Sequence, residues 1–425
     1  MEPTITVLSP LTPHNSTCGY CGPPGIRSTA KSSWHAAECI PLRMSCKVYQ
    51  KMIDRGWRRS GEYCYKPDLK RSCCPQYTIR LGAGQFKPSK SQRKLLNRWN
   101  RFVLHGDHDE NAEEATHKNT QNKQKGKKMD IPFSLTSAIH ASEYAFAAGT
   151  GSEEPKHRFE VTLEPSSFTD EKFALYQSYQ QNIHLEEEKM PSSFRNFLVA
   201  TPLQREGISY SSQPPSHLPQ RYGSYHQLYR LDGKLIAIGV IDVLPNCVSS
   251  VYFMYEKEWE KHSLGKLSAL REVSLAKEMH DAGLADMGYL YMGFYIQSCP
   301  KMRYKGDYAP SYLADPEDYT WHPLEKCRPL LDKYRYVSFE HPEHNLQGPP
   351  NVSERDPVEE PEVPASVLSS AQTIQTRARG GSVAIPVANS PEWKRPAGRI
   401  AISTLLNALG PELACEVLLF MAYEL

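Results

Sequence analysis

Apolar residues along this chain alternate, run together or recur at helical spacing in stretches that predict its elements. Between Tyr225 and Leu231 they alternate with polar ones, Asp232-Gly233 follows, and residues 234–244 (KLIAIGVIDVL) are apolar on both faces. An Asp-Gly between two such runs predicts a hairpin. A strand without a polar face predicts a central place in a sheet. Pro245 and Asn246 turn the chain into a third strand over residues 248–255 (VSSVYFMY). From Leu264 the period changes. Leu267, Leu270, Ser274 and Lys277 share one stripe, and Leu264, Val273, Ala276 and Met279 fill the neighbouring face. That predicts a helix capped by Ser263 and ending near Gly283. Residues 289–296 (YLYMGFYI) predict another strand. Upstream, Leu95, Leu96, Trp99, Phe102 and Val103 recur at helical spacing within residues 90–103, with Arg and Lys between them.

The order strand, strand, strand, helix, strand predicts an α+β fold. It is the core order of GNAT-type acyltransferases, a mixed sheet flanked by helices, although order alone is an analogy. The pattern divides the chain into a Cys-rich basic region over residues 15–104, a charged linker over 105–130 and a richly apolar, GNAT-like region over 131–346, the part that the resemblance described below implies is catalytic. Residues 347–425 read as a largely disordered tail rich in Pro, Ser, Glu and Ala, with a helix pair over 399–425 broken at Gly410-Pro411. No internal repeat is visible. The longest apolar run is about half of the ~20 residues that span a bilayer. The first residues lack a basic stretch followed by an apolar one, so no secretory signal is expected. Together these predict no membrane partner and a reducing, intracellular location, where the 11 cysteines are thiols or metal ligands rather than a disulfide framework; a cytoplasmic and also nuclear monomer is the default expectation.

The net charge of +2 hides an asymmetry, because residues 1–104 carry 18 Lys and Arg against 5 Asp and Glu. Such a segment suits a polyanion such as nucleic acid. Within it, Cys18 and Cys21 form a CxxC, followed some fifty residues later by the adjacent pair Cys73 and Cys74. Four thiolates from two pairs can close a site for Zn2+ or a [4Fe–4S] cluster, and spacing does not choose between them. Cys39, Cys46 and Cys64 lie between and read chiefly as buried thiols. At the start of the long helix, Ser263, Gly265 and Lys266 suit a phosphate at a helix N-terminus, weighed against a plain helix cap. Lys301, Arg303 and Lys305, beside Tyr295 at a strand end, suit an anion such as a carboxylate. Asp242 is a carboxylate inside an apolar run, which is costly without a cation beside it. His226, on a strand, is the histidine placed to face a site, weighed against a structural role.

Several long strings together resemble the eukaryotic arginyl-tRNA–protein transferases, in a fungal-like form. They are CGYCGPPG, WHAAEC and CCPQYTIRL at the front, then residues 223–256, the helix string SLGKLSALREVSLAKEM and YMGFYIQSCPKMRYKGDYAPSYL. The resemblance covers roughly residues 15–104 and 131–340. It implies transfer of arginine from arginyl-tRNA to the N-terminal amine of proteins that begin with Asp, Glu or oxidised Cys, marking them for ubiquitin-dependent degradation. It also implies a zinc or iron–sulfur site at Cys18, Cys21, Cys73 and Cys74, and no small organic cofactor. One departure is that Asp315, in SYLADPEDYTW, stands where many relatives carry a cysteine. On this reading Asp242 recognises a guanidinium or ammonium, with His226 beside it as the other catalytic candidate. Arg303, with Lys301 or Lys305, recognises the acidic side chain. Ser263, Gly265 and Lys266 meet the 3′ end of the tRNA, and Arg93, Lys94 and Arg98 its backbone. The rival readings are an acyl-coenzyme A-dependent N-acetyltransferase and a non-catalytic tRNA-binding or metal-sensing protein.

Overall fold

The computed structural model describes residues 4–23, 26–30, 33–106, 133–147, 154–350, 360–377 and 380–422. The linker expected over 105–130 lies, from residue 107 onward, outside them. Two mixed sheets with their helices make an α+β architecture. No helix among the described residues is long and apolar enough to cross a membrane.

The first sheet is built from β1 (Thr6–Pro10), β2 (His14–Ser16), β3 (Trp34–Arg43), β4 (Arg58–Ser60) and β5 (Tyr63–Pro67), with α1 (Cys46–Asp54) packed on it. The second contains β6 (Tyr77–Gly82), β7 (Phe159–Pro165), β8 (Gly223–Leu231), β9 (Lys234–Val243), β10 (Cys247–Tyr255), β11 (Tyr289–Tyr295), β12 (Ser311–Ala314) and β13 (Trp321–Pro323). Its order is β13-β12-β6-β11-β10-β9-β8-β7. Thus β6, from inside the Cys-rich region, lies in the middle of the second sheet, antiparallel to β11. The two sheets are not divided where the composition changes.

The predicted hairpin is present. β8 and β9 pair from Gly223↔Val243 to Leu231↔Lys234, and both turn residues have positive φ, Asp232 at 50° and Gly233 at 82°. Two left-handed residues give a turn whose twist matches the strands. β9 is buried on both faces, as its composition requires. Ile236 and Ile241 face α5 (Leu264–Asp281), while Ile238 and Val240 face α4 (Asp170–Tyr179). α5 then leads into β11, parallel to β10. That pairing stops after Cys247↔Tyr289, Val248↔Leu290 and Ser249↔Tyr291. Beyond it β11 is irregular against β6 between Tyr291 and Phe294, with Gly293 at φ 69°.

α2 (Lys90–His105) buries Leu96, Trp99, Phe102 and Val103, and a full capping box of Ser89 and Gln92 starts it. α5 stops at Gly283 as predicted, but Ser263 does not cap it. Ser263 is left-handed (φ 52°, ψ 47°), which turns its hydroxyl away from the helix N–H groups.

The end of the chain departs from expectation, for residues 360–377 and 380–422 are folded. β14 (Gln372–Thr376), β15 (Ser382–Pro386) and β16 (Val417–Leu419) extend the first sheet, β16 running parallel to β1. α6 (Pro396–Glu416), broken at Gly410, places Ile402, Leu405, Leu406, Leu409 and Leu413 in one core with Tyr49, Met52 and Trp57. The Trp57 indole donates to the Ala408 carbonyl at 3.3 Å. The first core therefore closes only when the two ends of the chain meet. Leu409→Ala, at a fully buried position, should lower stability to urea by about 2–5 kcal/mol. A change within about 0.5 kcal/mol, the size of an ordinary surface substitution, would mean that this helix is not part of the cooperative core.

Candidate active site and metal centre

The loop after β2 carries Cys18 and Cys21, and the turn before β6 carries Cys73 and Cys74. Their four sulfurs lie within 4.8 Å of one another. Local bonds set both loops. Cys18 N–H donates to Ser28 Oγ (2.7 Å), Ser28 N–H to the Cys18 carbonyl (2.8 Å), and Cys73 N–H to the Ser33 carbonyl (3.0 Å). Arg335 Nη1 reaches the carbonyls of Lys70 (3.0 Å) and Ser72 (2.8 Å), which fixes the turn that presents Cys73. Hydrogen bonds from Cys73 and Cys74 hold the Cys18 thiol well below its ordinary pKa. Sulfur–sulfur distances of 3.8 Å (Cys21–Cys73) and 3.9 Å (Cys73–Cys74) are close to the ~3.8 Å edge of a zinc–thiolate tetrahedron with ~2.3 Å bonds. The residues present therefore fit a thiolate-bound metal. Cys39 and Cys64 are fully buried, opposite one another on β3 and β5, and Cys46 is buried in α1, so these three remain interior thiols. On its inner side the sulfur cluster packs on Ile296 and Cys299. It thereby touches the loop that leaves β11 toward Lys301, Arg303 and Lys305.

Two successive arginines of β4 enter the second sheet. Arg59 makes a two-pronged pair with Asp242, Nε to Oδ2 at 2.8 Å and Nη2 to Oδ1 at 2.6 Å. Ser224 Oγ donates to Oδ1 at 2.7 Å. The Asp242 carboxylate, chiefly by its charge, raises the Arg59 pKa against the opposing effect of burial. Asp242 thus binds a guanidinium as its setting demands, but that of Arg59. Both oxygens are engaged and the side chain is fully buried, which corrects the expected contact with substrate.

Arg58 points the other way. Its Nη1 donates to the carbonyls of Ile53 (3.1 Å) and Trp57 (2.6 Å), and its Nη2 to that of Gly293 (3.0 Å). Its guanidinium carbon lies 4.8 Å from the Phe294 ring centre, and its buried Nε has no hydrogen-bond partner among the described residues. Lys305 Nζ donates to the neighbouring carbonyl, Phe294 O, at 2.7 Å. Desolvation first, and Arg58 second, lower the Lys305 pKa to about 7. Neither Arg58 nor Lys305 has a carboxylate within ion-pair distance among the described residues. Two basic side chains therefore converge on the carbonyls of the β11 bend, with no carboxylate at ion-pair distance among the described residues. The sequence pointed to Lys305 but held no sign of Arg58, whose partners are distant in the chain.

The other expected residues divide. His226 is fully buried between Lys172 Nζ (3.2 Å from Nδ1) and the Leu198 carbonyl (2.9 Å from Nε2). Desolvation lowers its pKa to about 4. A closed-in neutral ring on the α4 side of the sheet is structural, which corrects its candidacy as a base. Tyr295 is also buried, its hydroxyl bonded to Gln297. Lys301 and Arg303 lie on a short helix (Pro300–Arg303), none of whose residues is buried. Gly265 and Lys266 are exposed at the start of α5. A Cβ at Gly265 would stand 3.6 Å from Phe253, an ordinary contact, so packing does not require glycine there. Arg98 Nη2 reaches the Lys261 carbonyl at 3.5 Å, which brings the basic face of α2 to the same neighbourhood. Lys94 is exposed as well, while Arg93 is half-buried over Phe133. Asp315, the departure noted in the sequence, ties a turn. Its oxygens accept from the N–H groups of Glu317 (2.8 Å), Asp318 (2.8 Å) and Phe339 (2.6 Å) and from Ser338 Oγ (2.9 Å).

Residues 16–94 match the family described as arginine-tRNA-protein transferase, N terminus, and residues 171–315 match its C terminus. Arginyl-tRNA–protein transferase 1 of Drosophila melanogaster is 33% identical over 78% of this chain and 85% of its own length. The chain belongs to the arginyl-tRNA–protein transferase family. Arginyl-tRNA–protein transferase 2 of Arabidopsis thaliana is 29% identical, over 76% of each chain. A bacterial relative, the aspartate/glutamate leucyltransferase of Pseudomonas fluorescens, is 26% identical over 64% of this chain and 81% of its own. The Cys18–Cys74 cluster falls wholly in the N-terminal match, and β8 to β11 in the C-terminal one.

The Arg59–Asp242 pair yields a stability prediction. Asp242→Leu alone should cost about 3–5 kcal/mol, because it strands a buried guanidinium. The double variant Arg59→Leu with Asp242→Leu should recover more than half of that in urea unfolding. Equal losses in the single and double variants would mean that the pair is not coupled.

Proposed function

We propose that this chain transfers arginine from arginyl-tRNA to the N-terminal amine of proteins that begin with Asp, Glu or oxidised cysteine. The product, a protein with a new N-terminal Arg, serves as a signal for ubiquitin-dependent degradation. The observation that carries the reading is the match to both halves of the family in a fold that interlocks them. The acidic acceptor draws support from the name of the bacterial relative, an aspartate/glutamate transferase, and from Arg58 and Lys305.

The second sheet acts, on this reading, as an acyltransferase sheet of GNAT type. Three antiparallel strands, a helix and a parallel strand that parts from its neighbour after three pairs support it. We assign the acceptor's carboxylate to Arg58 and Lys305 rather than to Arg303. A carboxylate there would supply the missing counter-charge, and an amide of the same shape would not, so Asn and Gln are rejected. Lys301 and Arg303 then form a basic rim. The tRNA 3′ end lies at Gly265 and Lys266, with Lys94 and Arg98 along its backbone. The α-amine of a protein has an ordinary pKa of about 7.7–8, so much of it is neutral near pH 7. The chain's own contribution is alignment of amine and ester. At the sulfur cluster, we infer one tetrahedral ion of the zinc class held by Cys18, Cys21, Cys73 and Cys74. In a four-iron cluster each thiolate binds a different iron, so the sulfurs would stand farther apart than they do here. Such an ion supplies rigidity to the loops that brace residues 296–305. Stoichiometric zinc without iron in protein purified without oxygen would support this assignment, and iron with an iron–sulfur spectrum would refute it.

Peptides beginning with Asp, Asn and acetylated Asp, offered with labelled arginyl-tRNA, test the activity. Label should appear on the Asp peptide alone; label on none of them, with tRNA still bound, would favour a non-catalytic tRNA-binding protein. Lys305→Met should raise KM for the Asp peptide roughly 10–100-fold, the size of one charge-assisted hydrogen bond. Because only the ammonium form pairs with a carboxylate, the wild-type KM should rise as pH climbs above about 7. That rise should vanish in Lys305→Met; an identical pH profile in both proteins would remove Lys305 from acceptor recognition. Neutralising Lys94 and Arg98 should reduce the slope of log K for tRNA against log salt by about 1 for each side chain that meets a phosphate. An unchanged slope would place the tRNA elsewhere.

A further inference from the structure

Away from the sulfur cluster and the β11 bend, three segments bring nitrogen and oxygen donors together over the C-terminal half of α5. The last residue of α3 (Leu135–His140) gives His140, the loop before Leu218 gives His217, and α5 gives Glu278. Their ligand atoms lie within 4.8 Å of one another. Both imidazoles aim Nε2 at the same oxygen, Glu278 Oε2, His140 from 3.0 Å and His217 from 2.7 Å. The other oxygen, Oε1, accepts from Ser274 Oγ at 2.7 Å, one helical turn earlier, which fixes the carboxylate plane.

The outer surroundings are those of a ligand set. His140 Nδ1 stands 3.2 Å from Glu143 Oε1, and Glu143 is in turn held by Arg271. Glu143 thus puts a second carboxylate on the Nδ1 side of His140, away from Glu278, as carboxylate–histidine–metal arrangements do. Both Nε2 atoms stand at hydrogen-bond distance from Glu278 Oε2, and a divalent cation can take the place of the protons that bridge them. Phe146 stacks on His140 (ring centres 3.9 Å apart) and stands edge-on to His217 (5.3 Å), which locks both rings. The open side faces a cavity of about 250 Å3 lined also by Thr162 and Gln227, polar groups suited to an ion-bound water.

We propose that His140, His217 and Glu278 form a second metal site, separate from the four cysteines, which takes one borderline divalent ion of the zinc class with water as its fourth ligand. Two imidazoles and one carboxylate are a zinc donor set. A tetrahedron with bonds of about 2.0–2.1 Å separates its donors by about 3.3 Å. The three donors therefore need to open by roughly half an ångström, and His217, on a half-buried loop, supplies that movement. The ion clasps α3 and the 215–218 loop to the same helix whose opposite end carries Gly265 and Lys266. The proposal does not rest on the transferase reading, because it concerns binding alone.

The test uses the full chain, stripped of metal and kept reduced, with bound zinc counted after gel filtration. Wild type should bind two ions per chain, and His217→Gln one, with the metal-free melting temperature of His217→Gln close to wild type. A second measurement stands if that variant does not fold. In a Cys18→Ser, Cys21→Ser variant, added Co2+ should give weak visible bands without the near-ultraviolet sulfur-to-metal absorption that a thiolate site shows. The same number of ions on wild type and His217→Gln, or no visible bands in the cysteine variant, would overturn the site and leave an imidazolium–carboxylate network in its place.

Discussion

The ion pair of Arg59 with Asp242 is the constraint that the rest of this structure obeys. β9 lies in the middle of its sheet, and a carboxylate there is intolerable without a partner. The partner is delivered from the other sheet by β4, so the two sheets must meet at that point. Once Arg59 is committed to Asp242, Arg58 is directed elsewhere, because successive residues of a strand point to opposite sides. It arrives under the carbonyl of Gly293 and the ring of Phe294. The aspartate that looks catalytic in the sequence is thus paired inside the fold, and on the proposed reading Arg58 is the arginine that meets the acceptor.

The same seam gathers the remaining parts. β6 crosses from the Cys-rich region into the second sheet and pairs with β11. The turn before β6 carries Cys73 and Cys74, and the sulfur cluster they complete packs on Ile296 and Cys299, just beyond β11. Thiol cluster, β11 bend and Lys305 therefore form one continuous run of packed residues.

What was legible in the sequence was local. Asp232-Gly233 announced its hairpin, and the stripe through Leu96, Trp99 and Phe102 announced α2. The CxxC with the later Cys pair announced a cluster that the structure closes to within 4.8 Å. What was not legible depends on partners far along the chain. The paired fate of Asp242 needs Arg59, 183 residues away, and that of His226 needs Lys172 and Leu198. The final segment misled for a related reason. Its Pro, Ser and Glu resemble a disordered tail, but Leu405, Leu409 and Leu413 have a surface waiting on α1, and β16 has an open edge waiting on β1.

That last docking reaches the candidate site through few steps. Leu409 and Leu413 share a core with Met52, Ile53 and Trp57, and the carbonyls of Ile53 and Trp57 are the ones that hold Arg58 Nη1. A buried guanidinium whose hydrogen bonds all go to carbonyls has no ion-pair partner to keep it in place, so its position depends on the backbone that supplies them. Here that backbone is the end of α1, and α1 is covered by α6. The C-terminal helix therefore does more than complete a core. It stiffens the carbonyls that aim Arg58 at the β11 bend, and on the proposed reading that matters, since discrimination of a carboxylate from its amide depends on the cation being unable to move away to water.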